Sequence, residues 1–483
     1  MKWNHRKAKH SGVASMFLTM LFATIMFAGV IVPVQAQTFT TLYPFQGSNG
    51  AYPQGLVQGV DGNLYGVTEA GGDQFGAGTF FRISTSGTEK TLCNFFDVGA
   101  CRAAQAPSAN LVLGTNGSFY GPALDGETIR LNARGKLKVL YTNANNISVA
   151  SLVLANGNFY GTTKNGGANN QGTVFKMSAA GKVTTLYSFC SNYQNGVCID
   201  GAQPNFALVQ GSDGNLYGTT SSGGSDGVNA GYGTIFKITP TGTLTTLYSF
   251  PGFTPPSSAL VKGDGGNFYG ATYSGGSGKY SPGGTFFTVT PSGALTTLYN
   301  FCNLQSCADG AQPANIYLAN DGNFYGITWS GGVSNQGTIF QMTPGGTLTT
   351  LHNFDGTDGS GPNGGGMLMQ DTNGTIYGTM SNGGPGWPVC SPVCVGTVFS
   401  MNMGLGPFVE TLPTSGKAKA AVKILGTSLT GTTSVTFNGT AATFKVVSSS
   451  EITTNVPVGA TSGVVQVVTP SGTLSSNVTF QVP

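Results

Sequence analysis

The chain has 483 residues, of which 76 are glycine and 23 proline, with only 8% charged and a formal net charge of +3. That charge belongs to the amino terminus: setting Lys2, Arg6, Lys7 and Lys9 aside leaves 17 basic residues against 18 acidic ones. A nearly neutral chain without a basic cluster excludes nucleic-acid binding and electrostatic attachment to an anionic membrane.

In chain order, the first feature is a basic stretch from Met1 to His10, followed by an apolar run from Val13 to Val32 and the small-residue segment Val34-Gln35-Ala36. This is the pattern of a secretory signal peptide over residues 1–36. The rival reading is an uncleaved membrane anchor, because the run approaches the roughly 20 residues that span a bilayer. No second apolar run of that length follows. We therefore expect a secreted, extracellular or cell-surface protein with no stable membrane insertion after signal removal.

From residue 37 onward a variant of Asp-Gly-Asn-Leu-Tyr-Gly recurs, with its tyrosine at Tyr65, Tyr120, Tyr160, Tyr217, Tyr269, Tyr325 and Tyr377 and a mean spacing of 52 residues. Abundant glycine at low charge would suit disorder, but alternating Val, Ile, Leu, Phe and Tyr in every repeat predicts a packed β protein. The unit Phe206–Phe250 predicts four strands, at 207–209, 215–220, 233–238 and 244–250, separated by Asp213-Gly214 and Pro240-Thr241-Gly242 turns. Four antiparallel strands make one propeller blade. Sets of strands one to three occur at the seven tyrosines, and fourth strands also occur seven times, beginning with 38–45, ahead of the first set. This offset predicts that 38–45 completes the blade of Tyr377 and closes a seven-bladed β-propeller over 37–404, removing a bare sheet edge. The short turns then lie on one face, and the long links on the other, which makes the long-loop face the functional candidate.

Eight cysteines fall in four close pairs, Cys93 with Cys101, Cys190 with Cys198, Cys302 with Cys307 and Cys390 with Cys394. Export and proximity predict four local disulfides. Zinc is disfavoured, because the pairs sit in separate repeats and His352 is the sole histidine after residue 36. His352 stands where other fourth strands carry Tyr187, Tyr248 and Tyr299, so it reads as a packing substitution. Asp200 and Asp309 recur within Asp-Gly-Ala-Gln-Pro and read as loop caps; no catalytic residue, metal or cofactor is assigned.

Just after strand two, aligned repeats carry Glu69, Lys164, Ser221, Tyr273, Trp329 and Ser381. Chemically varied side chains at one depth suit ligand contact, and Tyr273, Trp329 and nearby Trp387 suit stacking on sugar rings. Glu69, Lys164, Tyr273, Trp329 and Trp387 are the candidate ligand-binding residues. The Tyr120 repeat lacks its Gly-Gly loop and has a short link over 142–150, which predicts a notch flanked by Glu69 and Lys164.

After a linker at 404–407, residues 405–483 carry strand-like runs at 420–425, 434–438, 443–447, 451–456, 463–468 and 477–482, predicting a small immunoglobulin-like β-sandwich. The repeat motifs, with Gly-Thr-Val-Phe and Leu-Thr-Thr-Leu-Tyr-Ser-Phe beside the tyrosine motif, resemble the bacterial GloVer tandem repeats of exported, often surface-associated proteins. The tail, with Pro413-Thr-Ser-Gly416, Val435-Thr-Phe-Asn-Gly439 and Val456-Pro-Val-Gly-Ala460, is similar to TIG domains of cell-surface and carbohydrate-processing proteins. The resemblance implies an all-β protein of propeller-like repeats with a carboxyl-terminal TIG domain. The function expected is non-enzymatic binding of a glycan or a cell-surface protein. The alternatives are an extracellular carbohydrate-active enzyme, a glycosidase or lyase, and a purely structural envelope component.

Overall fold

A computed structural model describes Met1 and residues 37–483, apart from 74–75, 97–100, 102–109, 124–125, 143–148, 156, 226–230, 264, 362–366 and 387–394. The signal segment 2–36 lies outside the described residues. Residues 36–483 form one compact unit. Its described residues are built from strands, with a single 3-10 turn at Gln305–Cys307.

Each repeat forms an antiparallel sheet in the predicted order. In the Tyr217 repeat, Leu216–Ser222 pairs with Val209–Gln210 on one side and Thr234–Ile238 on the other, and Leu244–Ser249 is outermost. The expected first strand at 207–209 is replaced by two short pieces, Ala202–Pro204 and Val209–Gln210. The Tyr-Gly dipeptide of strand two has a steric cause. A Cβ at Gly66, Gly326 or Gly378 would stand 2.5, 2.3 or 2.4 Å from the ring of Phe81, Phe340 or Phe399 on strand three. The tyrosine before that glycine reaches the next sheet: Tyr65 meets Phe119 at 4.4 Å, Tyr217 meets Phe268 at 4.1 Å and Tyr269 meets Phe324 at 4.3 Å between ring centres. Successive sheets are thus joined by aromatic contacts, each contributing roughly 0.5–1.5 kcal/mol beyond burial of the rings.

The strand Thr38–Pro44 pairs with Thr397–Asn402, which pairs with Ile376–Met380, the strand of Tyr377. Phe45 then packs with Leu56 and Phe81 of the first sheet and with Tyr377 and Val398 of the last. The expected completion of the Tyr377 sheet by the amino-terminal strand is therefore observed, one residue shorter than 38–45.

Residues 410–475 supply two four-stranded sheets, facing each other over Val422, Ile424, Val435, Phe437, Ile452 and Val467. Asn438-Gly439, both at positive φ, turns the hairpin between Ser434–Phe437 and Thr440–Ala441. The strand expected at 477–482 does not form. Gly472 instead turns the chain so that Gly472–Ser475 pairs with Val465–Thr469, leaving 477–482 only isolated bridges such as Gly463 to Phe480. Glu410–Leu412 is a strand that the alternation did not reveal, because it is short.

This sandwich docks on the short-turn face of the repeats. Ser450 donates its hydroxyl to the Val60 carbonyl at 2.8 Å, the Phe408 amide donates to Thr372 at 3.0 Å, and the Thr372 and Thr427 hydroxyls lie 3.1 Å apart. Leu425 is buried in one cluster with Tyr65, Phe119 and Leu113, and Leu412 packs against it.

Candidate functional site

On the long-loop face, the buried run of strand two is followed by an exposed or half-buried side chain at Glu69, Lys164, Ser221, Tyr273 and Trp329. Glu69 and Lys164 are exposed there, whereas Tyr273 and Trp329 are half-buried. The two rings meet edge to face, 5.8 Å between centres at 88°. Among the described residues, the buried Trp329 indole nitrogen has no hydrogen-bond partner. Glu69 comes within 3.5 Å of Gln54 Nε2. Ser221 donates to the Gln203 carbonyl and Ser381 is buried. Trp387 lies outside the described residues, as do 124–125 and 143–148, where the expected notch falls.

Asp200 and Asp309 on this face are loop caps. Asp200 accepts from Tyr187 Oη at 2.7 Å and from the Ser191 amide at 3.0 Å. Asp309 accepts from Tyr299 Oη at 2.7 Å and from the Asn303 and Leu304 amides at 2.9 and 3.0 Å. His352 takes the tyrosine's place, with Nε2 2.6 Å from Asp358 Oδ2 and its ring stacked on Phe39 at 3.8 Å. His352 therefore does what Tyr187 and Tyr299 do. Burial raises the Tyr187 hydroxyl to about 12, with the Asp200 bond adding to the shift, so it stays a donor. The loops are stapled by Cys93–Cys101, Cys190–Cys198 and Cys302–Cys307, as expected; Cys390 and Cys394 lie outside the described residues. Among the described residues no three His, Cys, Asp or Glu side chains are grouped to hold a metal.

A second site lies at the opposite end of the innermost strands. Opposite each repeat tyrosine these strands carry Val57, Val112, Val153, Val209 and Val261, then Tyr317 and Met369. Between them and residues 410–414 is a cavity of about 370 Å³, bordered by Val57, Leu111, Val153, Tyr317, Met369, Glu410, Thr411 and Asn477. Asp371 stands close behind. Six residues before the tyrosine, other repeats have Gly59, Gly114, Gly211, Gly263 and Ala319, since a Cβ at Gly59 or Gly114 would come within 2.5 Å of that tyrosine's ring. The last repeat has Asp371, 2% exposed, with Oδ1 lacking a hydrogen-bond partner among the described residues.

Desolvation raises Glu410 to about 7, the like charge of Asp371 adds to the shift, and Asn477 opposes it. Desolvation likewise raises Asp371 to about 6, against the amides of Asn373 and Thr372. The Tyr317 hydroxyl is pushed up by burial and by Glu410. A wider cleft of about 1130 Å³ lies against Ala421–Leu425, but its Lys423 is already paired with Glu451. Sequence reasoning missed the inner cluster. Tyr317 and Asp371 were visible as departures from the repeat, whereas Glu410 and Asn477 join them only through docking of the sandwich.

The Gloeobacter/Verrucomicrobia repeat model matches residues 12–226 and 192–388, most of the chain. The chain belongs to the Gloeobacter/Verrucomicrobia repeat family. An IPT/TIG domain matches 408–482, in agreement with the sandwich. No curated protein matches. Among solved structures, virginiamycin B lyase from Staphylococcus aureus is similar at 14% identity and a TM-score of 0.52, over 76% of this chain and 99% of that chain. A catalytically inactive variant of that lyase with quinupristin is similar at 14% identity, TM-score 0.50 and the same coverage. At this identity the likeness concerns the fold, an all-β, propeller-like array of repeats followed here by the TIG domain. Among the described residues of this Gloeobacter/Verrucomicrobia repeat protein, no helix is long and apolar enough to cross a membrane. Its local disulfides fit an oxidising, extracellular setting.

Proposed function

We propose that this protein is exported by residues 1–36 and acts as a non-enzymatic glycan-binding protein. Residues 37–404 form a closed ring of seven blades whose long-loop face takes the glycan, and 405–483 serve as spacer or second contact. Closure is supported by the pairing of Thr38–Pro44 with Thr397–Asn402. The observation that carries the binding role is the half-buried, edge-to-face Tyr273–Trp329 pair on the long-loop face. Flat apolar rings match a sugar face.

The competing glycosidase reading needs two available carboxylates about 5–10 Å apart. Asp200, Asp309 and Asp358 are each occupied in holding a loop, so none of the three is free to serve as a catalytic acid or base. A glycan array probed with residues 37–483 tests the reading. A defined set of glycans should bind without turnover, and Trp329→Ala should weaken binding by about tenfold or more, the loss typical of a central aromatic contact. No bound glycan, or a bound glycan that is cleaved, overturns it.

A further inference from the structure

The cavity at the inner-strand end is independent of the Trp329 surface and has its own chemistry. Its wall is mostly aliphatic, from Val57, Leu111, Val153 and Met369, with one polar corner made by Glu410, Tyr317 and Asn477. Near the cavity, Asp371 Oδ1 and Oγ1 of Thr411, a lining residue that is 6% exposed, are buried with no hydrogen-bond partner among the described residues. Leaving such atoms unpaired costs about 1–3 kcal/mol each. Every other repeat avoids the cost at the Asp371 position with glycine or alanine, apart from the shortened Tyr160 repeat. Two neighbouring carboxyl groups with no facing cation among the described residues are a second cost, because like charges in a desolvated place oppose ionisation of both.

We propose that this cavity binds a small amphipathic primary amine, its ammonium group held by Glu410 near Asp371 and its apolar body lying against Val57, Leu111, Val153 and Met369. An ammonium ion supplies the missing positive charge and three donors, for the Glu410 carboxylate and for the Tyr317 and Asn477 oxygens that border the cavity. A bare divalent metal suits the site less well, because hard cations gather six or more oxygens and make no use of an aliphatic wall. An anion would meet two carboxylates, and a wholly apolar ligand would leave the polar corner unmet. The volume, about 370 Å³, admits a compact organic molecule and falls at the lower end of small-ligand pockets. The groups around the ammonium are Glu410, Asp371, Tyr317 and Asn477, so binding should weaken as pH falls and the two acids take up protons.

Isothermal titration of residues 37–483 with n-hexylamine, hexan-1-ol and hexanoate at pH 8 tests the assignment. Hexylamine should bind with one-to-one stoichiometry and about tenfold or more tighter than hexanol, a difference of about 1.4 kcal/mol, with hexanoate weakest. Glu410→Gln should remove the preference for the amine while hexanol binding persists, which also reports that the cavity is intact. Equal affinity for amine and alcohol, tighter binding of hexanoate, an amine preference that survives in Glu410→Gln, or no binding of hexylamine at millimolar concentration each overturns the proposal.

Discussion

The two faces of the repeat array use the same pairing, a tyrosine hydroxyl on an aspartate, to different ends. On the short-turn face Tyr65, Tyr217 and Tyr325 donate to Asp61, Asp213 and Asp321 at 2.9 to 3.0 Å, four residues away, and each turn is complete in itself. On the long-loop face Tyr187 and Tyr299 donate to Asp200 and Asp309 across a disulfide loop, and the aspartate also gathers backbone amides. The first arrangement makes a uniform surface on which a second domain can dock. The second fixes loops of differing length around a varied rim. Repetition therefore specifies the scaffold, and departures from it mark where something else is met.

The largest effect should come from breaking what both faces share. Beginning the chain at residue 46 removes Thr38–Pro44 and Phe45, exposing the edge of Thr397–Asn402 and opening the apolar cluster between first and last sheets. We expect a loss above about 5 kcal/mol, or failure to fold, from deleting several buried side chains at once. Urea unfolding checks it, and a cooperative transition at the parent midpoint would contradict closure by this strand.

Next, Gly326→Ala places a methyl group 2.3 Å from the Phe340 ring, whereas Gly265, on a short turn, has open space around its Cβ position. The first substitution should cost about 2–4 kcal/mol and the second within about 0.5 kcal/mol, both read from urea midpoints. Equal costs would show that the glycine is not placed by the strand-three ring.

The two aspartate roles can be separated in the same way. Asp309 is fully buried and Asp321 exposed, so Asp309→Ala should cost about 2–3 kcal/mol and Asp321→Ala less than about 1 kcal/mol. Limited proteolysis of the 302–311 loop should accelerate only in the first variant.

Glu410 gives a stability effect with a defined sign. Its folded value, about 7, lies above the ordinary 4.5, and Asp371 is also raised, to about 6. The folded state thus holds protons more tightly than the unfolded chain, and the contribution of these acids falls as pH rises from about 4 to 7. Glu410→Gln should therefore raise stability at pH 8 by on the order of 2 kcal/mol and leave it nearly unchanged at pH 4. Thermal unfolding across this range checks the sign; destabilisation at pH 8 would mean that Glu410 has a cationic partner in the folded protein.

Most of the scaffold was legible before the structure, for reasons visible in single positions. Tyr-Gly recurs because a ring lies on the glycine, and fourth strands could be counted because their Thr-Thr-Leu-Tyr pattern alternates. The rim was legible only as a set of aligned residues. That Tyr273 touches Trp329 while Glu69 and Lys164 stay exposed depends on loop paths between neighbouring sheets, which local pattern does not encode. Asp371 carried a readable signal, a charged side chain where other repeats need almost none. Glu410 and Asn477 carried no such signal, because their environment is created by the docking of two domains. The expected strand 477–482 failed for a related reason: alternation was present, but the Gly472 turn had already brought Gly472–Ser475 to the sheet.

The division between the faces can be tested in one experiment. Affinity for the strongest array glycan should be measured for the parent protein, Trp329→Ala and Glu410→Gln under one condition. The account predicts a loss of about tenfold or more in Trp329→Ala and an unchanged value in Glu410→Gln. Unchanged affinity in Trp329→Ala, or a loss confined to Glu410→Gln, would contradict the assignment of the glycan to the long-loop face.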